Sequence, residues 1–186
     1  MNKIIQNTLF YVVVFCVTYF IYIYPIEILN ELLFNEQANR RSSFYFTIII
    51  SILIIFYFRS YTSLKPLKIF IYEGMGIGFI SFWVVTAAIL IKGIFNFNSY
   101  YLGLLSLLFI LILSLISFYF GSKIYIKNIN IKSNKIKSDV SFIFLSDVHM
   151  GSNNIKHLNK IILLLKNKSY DFLLIGGDLV DSSSFD

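Results

Sequence analysis

Four apolar runs, at 4–24, 42–58, 74–94 and 100–120, take up two-thirds of the first 120 positions and limit what this chain can fold into. A nearly uncharged run of about twenty residues matches the hydrocarbon thickness of a bilayer. In lipid every backbone polar group needs an internal partner, and a helix satisfies that need within one segment. The expectation is a domain over 1–122 with four transmembrane helices and the lipid bilayer as its partner. Composition agrees, with 57% apolar residues, 14% charged residues and a mean hydropathy of +0.74.

The first run follows Lys3 and is expected to end at Pro25. It lacks a small-x-small cleavage site and further runs follow, so it reads as a retained helix rather than a removed leader. Between Ile26 and Arg41 the spacing of Ile26, Leu29, Leu32 and Leu33 predicts a short interfacial amphipathic helix. Pro66, in the loop with Arg59, Lys65 and Lys68, is expected to block an uninterrupted helix between the second and third runs. Gly74-x-Gly76-x-Gly78 follows no strand, which favours close helix packing over a phosphate loop. Gly103, Ser106, Ser114, Ser117 and Gly121 predict a second small-residue packing stripe. Trp83 falls mid-run and reads as packing. Cys16 has no partner for an intrachain disulfide and reads as a small apolar side chain.

The runs themselves contain no mid-span Asp, Glu or His, and Lys92 lies at an end, which argues against a transporter or channel. Four spans place both termini on one side. That side carries Lys3, Arg59, Lys65, Lys68, Lys123, Lys127, Lys132, Lys135 and Lys137, against Arg40, Arg41 and Lys92 opposite. The excess of cations predicts that both termini are cytoplasmic. The net charge of +6 is accounted for by lysines flanking spans, and no nucleic-acid partner is expected. The 20 Phe and 13 Tyr carry little weight, since A/T-rich codons raise both.

After Gly121 the period changes. Ile124, Ile126, Ile129 and Ile131 alternate with Lys and Asn, which predicts one or two edge strands. Ser133–Ser138 reads as a turn. Val140–Leu145 and Phe172–Ile175 read as buried strands. Between them Asn154–Lys168 reads as a helix, capped by Asn153 or Asn154, with Ile155, Leu158, Ile161, Ile162 and Leu165 on its buried face. His157 falls off that stripe and reads as a solvated helix residue. Strand, helix and strand at this spacing predict a parallel βαβ unit, and ligands of such sheets bind at the carboxyl ends of the strands. Asp147, His149 and Asp178 sit at those ends. Two carboxylates and an imidazole suit a divalent Mn, Fe or Zn ion. Gly176 and Gly177 let the chain turn beside Asp178.

Leu-Ser-Asp-Val-His-Met-Gly, followed by Gly-Gly-Asp-Leu-Val-Asp about thirty residues on, resembles the first two signature blocks of the calcineurin-like metallophosphoesterases. The resemblance spans a third of the chain. It implies that Asp147 and His149 ligate one metal and that Asp178 bridges two divalent ions. Asp181 would hold the ligands in shape from behind. The implied fold over 123–186 is the first βαβ part of an α/β metallophosphoesterase sandwich. The family pattern continues with Gly-Asn-His-Asp/Glu and two more histidine blocks. No Asn follows Asp178, and His157 lies in the helix, so no catalytic residue is assigned and the chain by itself is expected to turn over no phosphoester.

Two functions stay open at this point. The first is a membrane-anchored, two-metal phosphoesterase acting on a phosphoester or pyrophosphate. Anchoring points to a lipid-linked substrate, though a soluble one is equally compatible. The alternative is a non-catalytic four-helix membrane protein with a vestigial phosphoesterase segment.

Overall fold

Helix α1 (Lys3–Thr18) passes through one π-helical turn (Tyr19–Ile23) into α2 (Tyr24–Phe34), making one continuous run of 32 residues. This computed structural model describes residues 3–60, 64–136, 138–150 and 155–180. The expected stop at Pro25 is corrected: Pro25 sits just after the π turn and the helix continues through it, although its missing N–H leaves the Ile21 carbonyl without the usual donor four residues on. A proline ring also crowds the carbonyl four residues back, here that of Ile21, and the wider π turn gives it room. The separate interfacial helix expected over Ile26–Arg41 is corrected with it. The run ends at Asn35, whose left-handed backbone (φ 56°) lets its N–H reach the Glu31 carbonyl at 3.1 Å.

Helix α3 spans Arg40–Ser60, with Asn39 Oδ1 accepting from the Arg41 N–H at 3.1 Å. Helix α4 spans Lys65–Phe95, nine residues longer at its start than the expected 74–94. Pro66 stands in the first turn of α4, where its fixed φ is suited, and Leu64 before it is extended, so α3 and α4 are separate helices as expected. Helix α5 (Ser99–Gly121) is capped by Asn98, whose side chain accepts from the Tyr100 N–H at 3.0 Å.

The glycines set how closely these helices approach. A Cβ on Gly78 would meet the Ile21 backbone carbonyl, the one that Pro25 cannot serve. A Cβ on Gly74 would lie 2.8 Å from the Tyr22 ring, and one on Gly103 2.7 Å from Leu33. Gly76 meets nothing within 4 Å. Gly103, Ser106 and Ser114 are buried on α5, whereas Ser117 and Gly121 are exposed, so the predicted stripe covers the first two-thirds of the helix. Ile54, Tyr57 and Ile71 form a buried cluster with Val14, Tyr22, Ile50, Leu67 and Met75 packed around it. The Tyr22 hydroxyl donates to the Ile71 carbonyl at 2.9 Å. Ser81 and Ser106 donate to carbonyls four residues back, each at 2.8 Å, which lets a hydroxyl sit in an apolar helix.

All four helical runs, Lys3–Phe34, Arg40–Arg59, Lys65–Phe95 and Ser99–Gly121, are long and apolar enough to cross a membrane. Large apolar side chains such as Phe46, Leu108, Phe109 and Leu111 cover their outer faces, a surface that lipid accepts and water does not. The chain is a multi-pass membrane protein. The longer helices also bring Glu27, Glu31 and Glu73 into helical runs, which the shorter expected spans left outside. Thirty-two helical residues rise about 48 Å, well past a hydrocarbon core of about 30 Å. Near the end of the first run, Glu27 accepts from the Tyr19 hydroxyl at 2.8 Å and Glu31 lies 3.8 Å from Lys92 Nζ.

The chain from Lys123 onward forms a second unit. Residues 123–136 form neither helix nor strand, correcting the predicted edge strands. Their apolar alternation loses phase between Ile126 and Ile129, so no face is continuous enough to hold a register. Strand β1 (Phe142–Leu145) pairs in parallel with β2 (Phe172–Ile175), joined through helix α6 (Ile155–Lys166). Phe142 pairs with Phe172 and Leu145 with Ile175. Asp171 and Ser141 clamp the start of the pair: the Asp171 N–H donates to the Ser141 carbonyl at 2.9 Å, and the Ser141 N–H to Asp171 Oδ2 at 2.8 Å. On α6 only Ile161 is buried, with Leu158, Leu164 and Leu165 half-buried. Ile155 and Ile162 are exposed, so the predicted face is narrower and rotated toward Leu164. His157 is half-buried, not fully solvated. Among the described residues the sheet has two strands, so the structure reaches the βαβ unit but no sandwich. The predicted caps Asn153 and Asn154 and the loop 182–184 lie outside the described residues.

Candidate metal centre

The two strands end together, and each chain then makes an excursion of four residues, 146–149 and 176–179. Pairing resumes at Met150 and Val180, in the same parallel register that relates Phe142 to Phe172. The His149 N–H donates to the Asp178 carbonyl at 2.8 Å and the Met150 N–H to the Leu179 carbonyl at 2.9 Å. The Gly176 N–H donates to the Leu145 carbonyl at 2.8 Å. The excursions are therefore held against each other at both ends.

Asp147, His149 and Asp178 occupy these excursions, and all three have left-handed backbones, at φ 57°, 47° and 47°. Among the described residues the only other non-glycine positions of that kind are the helix caps Asn35 and Asn96. Asp and His enter this region more readily than most residues, but each still costs on the order of 1 kcal/mol. Such strain persists only where the surroundings enforce it, and it collects at functional sites. Val148, between the two ligands of the first block, is 2% exposed and anchors that excursion inward. Gly177 takes φ 111°, and a Cβ on Gly176 would collide with the Phe144 ring, so both glycines are needed as the chain leaves β2.

One ligand atom from each of Asp147, His149 and Asp178 lies within 4.8 Å of the others. His149 Nε2 is 4.0 Å from Asp147 Oδ1. Three donors around one small divalent ion stand roughly 3.0–3.6 Å apart, from bond lengths of about 2.1 Å. Closing onto a common ion asks for side-chain movement on the order of an ångström. The Asp147 and His149 side chains are 72% and 40% exposed. The donor set of two carboxylates and an imidazole fits Mn, Fe or Zn. Ser146 donates to Asp147 Oδ2 at 3.0 Å, which leaves Oδ1 facing His149.

The sequence reasoning missed Ser146 and Val148. A serine next to a candidate ligand was the available signal for the first. Nothing in a one-residue gap distinguishes a buried Val148 from an exposed one. Asp181, assigned to hold the ligands from behind, lies outside the described residues. Among those described, the Asp147, His149 and Asp178 cluster is the one group able to hold a metal, so the expected pair of ions is met by ligands for one.

No family model, no curated protein and no solved structure matches this chain.

Proposed function

We propose that this chain carries the metal-ligand strands of a membrane-anchored phosphoester hydrolase, with Asp147, His149 and Asp178 as ligands. The observation that carries this reading is the convergence of the three donors on left-handed backbone at the carboxyl ends of two parallel strands. A turn with no ligand to hold would be expected to relax at least one of those residues. The resemblance of the two blocks to calcineurin-like metallophosphoesterases supplies the reaction class: hydrolysis of a phosphomonoester, phosphodiester or pyrophosphate.

A bound divalent ion supplies charge neutralisation for phosphoryl oxygens and acidifies a water molecule. The residues of this chain hold and orient it. Asp147 and His149 present an oxygen and a nitrogen from one excursion, Asp178 an oxygen from the other, and Ser146 fixes which Asp147 oxygen is offered. Asp178 is the carboxylate best placed to be shared with a second ion. Membrane anchoring favours a lipid-linked phosphoester as substrate. The revised helix ends leave every flanking Lys and Arg on the side assigned to it, which supports cytoplasmic termini.

A non-catalytic role is favoured by one observation: the described residues hold ligands for a single ion in an open, half-exposed site. The full chain in lipid nanodiscs separates the readings. Titration with Mn, followed by electron paramagnetic resonance, is expected to show one bound ion per chain, lost in Asp178→Ala and perturbed by added inorganic phosphate. Absence of binding sinks both site-based readings. Turnover of bis-p-nitrophenyl phosphate that disappears in Asp178→Ala supports the hydrolase and overturns the expectation that this chain alone is inactive; Mn binding that inorganic phosphate leaves unperturbed, without turnover, supports the non-catalytic role.

A further inference from the structure

We propose that Lys123–Ile136, the stretch that follows α5 directly, is a surface anchor that binds anionic lipid headgroups. It carries Lys123, Lys127, Lys132 and Lys135 and no acidic residue. Between the lysines stand Tyr125, Ile126, Ile129, Ile131 and Ile136, all exposed, with Ile131 at 76%. Neither helix nor strand organises the stretch. A soluble linker with five exposed large apolar side chains in fourteen residues would be a liability for aggregation.

Two arguments choose the occupant. The first is position. Lys127 lies six residues past the end of α5 at Gly121, so it cannot be more than about 20 Å from the end of a helix that crosses the bilayer. The second is chemistry. Lysine ammonium groups pair with lipid phosphates and add roughly fivefold in surface association each. Isoleucine and tyrosine side chains enter the boundary between headgroup and acyl chain. Anionic lipid answers both the charge and the apolar side chains; a nucleic acid answers only the charge. The proposal is independent of the metal-site reading.

The test uses the full chain in vesicles, with Trp83→Phe and Tyr125→Trp giving one indole reporter in the stretch. Vesicles of phosphatidylcholine are compared with vesicles of phosphatidylcholine and phosphatidylglycerol. In the anionic vesicles the indole is expected to be shielded from acrylamide and quenched by brominated lipid. High salt should reverse both effects. Replacing Lys127, Lys132 and Lys135 by Gln should lower surface association roughly a hundredfold and restore acrylamide access. These positions lie outside every helix, so unchanged helical circular dichroism identifies variants that remain folded. Equal acrylamide access in the two vesicle types overturns the proposal. So does shielding that ignores lipid charge and the lysine replacements, since the chain itself would then be covering the stretch.

Discussion

Asp178 does two jobs that substitution can separate. Its backbone stands at φ 47°, and its side chain supplies one of three convergent donors. Asn tolerates the left-handed region as well as Asp does but brings no charge. Asp178→Asn is therefore expected to leave thermal unfolding of the second unit unchanged and to weaken Mn binding at least tenfold. Asp178→Val adds a β-branched side chain at positive φ and should cost a further 1–2 kcal/mol, about the left-handed penalty, in unfolding. If both variants bind Mn as the parent does, Asp178 is a turn residue and not a ligand. Ser146 makes a subtler contribution. Ser146→Ala removes the donor to Asp147 Oδ2 and is expected to lower Mn affinity roughly tenfold with no loss of fold. The three converging side chains were legible in the sequence because Asp-x-His and Gly-Asp each follow a strand-like run. Their backbone strain was not, because a left-handed φ in a non-glycine residue has no compositional signature.

At the scale of the element, the first helix and α4 meet where Pro25 and Gly78 face each other across Ile21. The π turn before Pro25 displaces the Ile21 backbone, and the absence of a Cβ at Gly78 lets α4 approach that carbonyl. Gly78→Ala is expected to destabilise the membrane unit by about 1–3 kcal/mol, the usual cost of forcing atoms into a filled interface. Gly76→Ala is the internal control: it meets nothing within 4 Å and should be neutral or slightly stabilising, since alanine is the better helix former. Unfolding in mixed detergent micelles followed by circular dichroism compares the two. Equal effects would mean that Gly78 is not an interface residue. The glycine pattern predicted close packing but not its partner. Pro25 was misread as a helix stop, although the helical run continues through it. Whether a proline ends or begins a helix depends on which neighbouring carbonyls can move, and that is a property of the packed turn.

At the scale of the whole molecule, two units share one chain, and among the described residues only the second has a group of side chains able to hold a metal ion. Ligand linkage should therefore act on one unit alone. With Mn at about a hundred times its dissociation constant, the second unit is expected to gain roughly 2.7 kcal/mol, and EDTA should remove that gain. The membrane unit should unfold identically in both conditions. Hydrogen exchange of the full chain reports each unit separately. Metal-dependent protection in the helices up to Gly121 would show that the units are coupled.

The amino-acid sequence alone determined four helices long and apolar enough to cross a bilayer, because a helix satisfies so long an apolar backbone within one segment. It also determined that Asp147, His149 and Asp178 fall at the carboxyl ends of parallel strands, because short apolar runs on either side of an amphipathic helix allow little else. Tertiary structure decided where the helices begin and end, since a π turn let the first helical run continue through Pro25, which local rules treat as a break. It also decided that Ile124–Ile131 forms no strand, because a strand needs a partner edge and an unbroken register. The approach of the three donors to within 4.8 Å was likewise a tertiary result. It depends on two four-residue excursions of equal length, pinned by backbone hydrogen bonds between segments thirty residues apart in the chain.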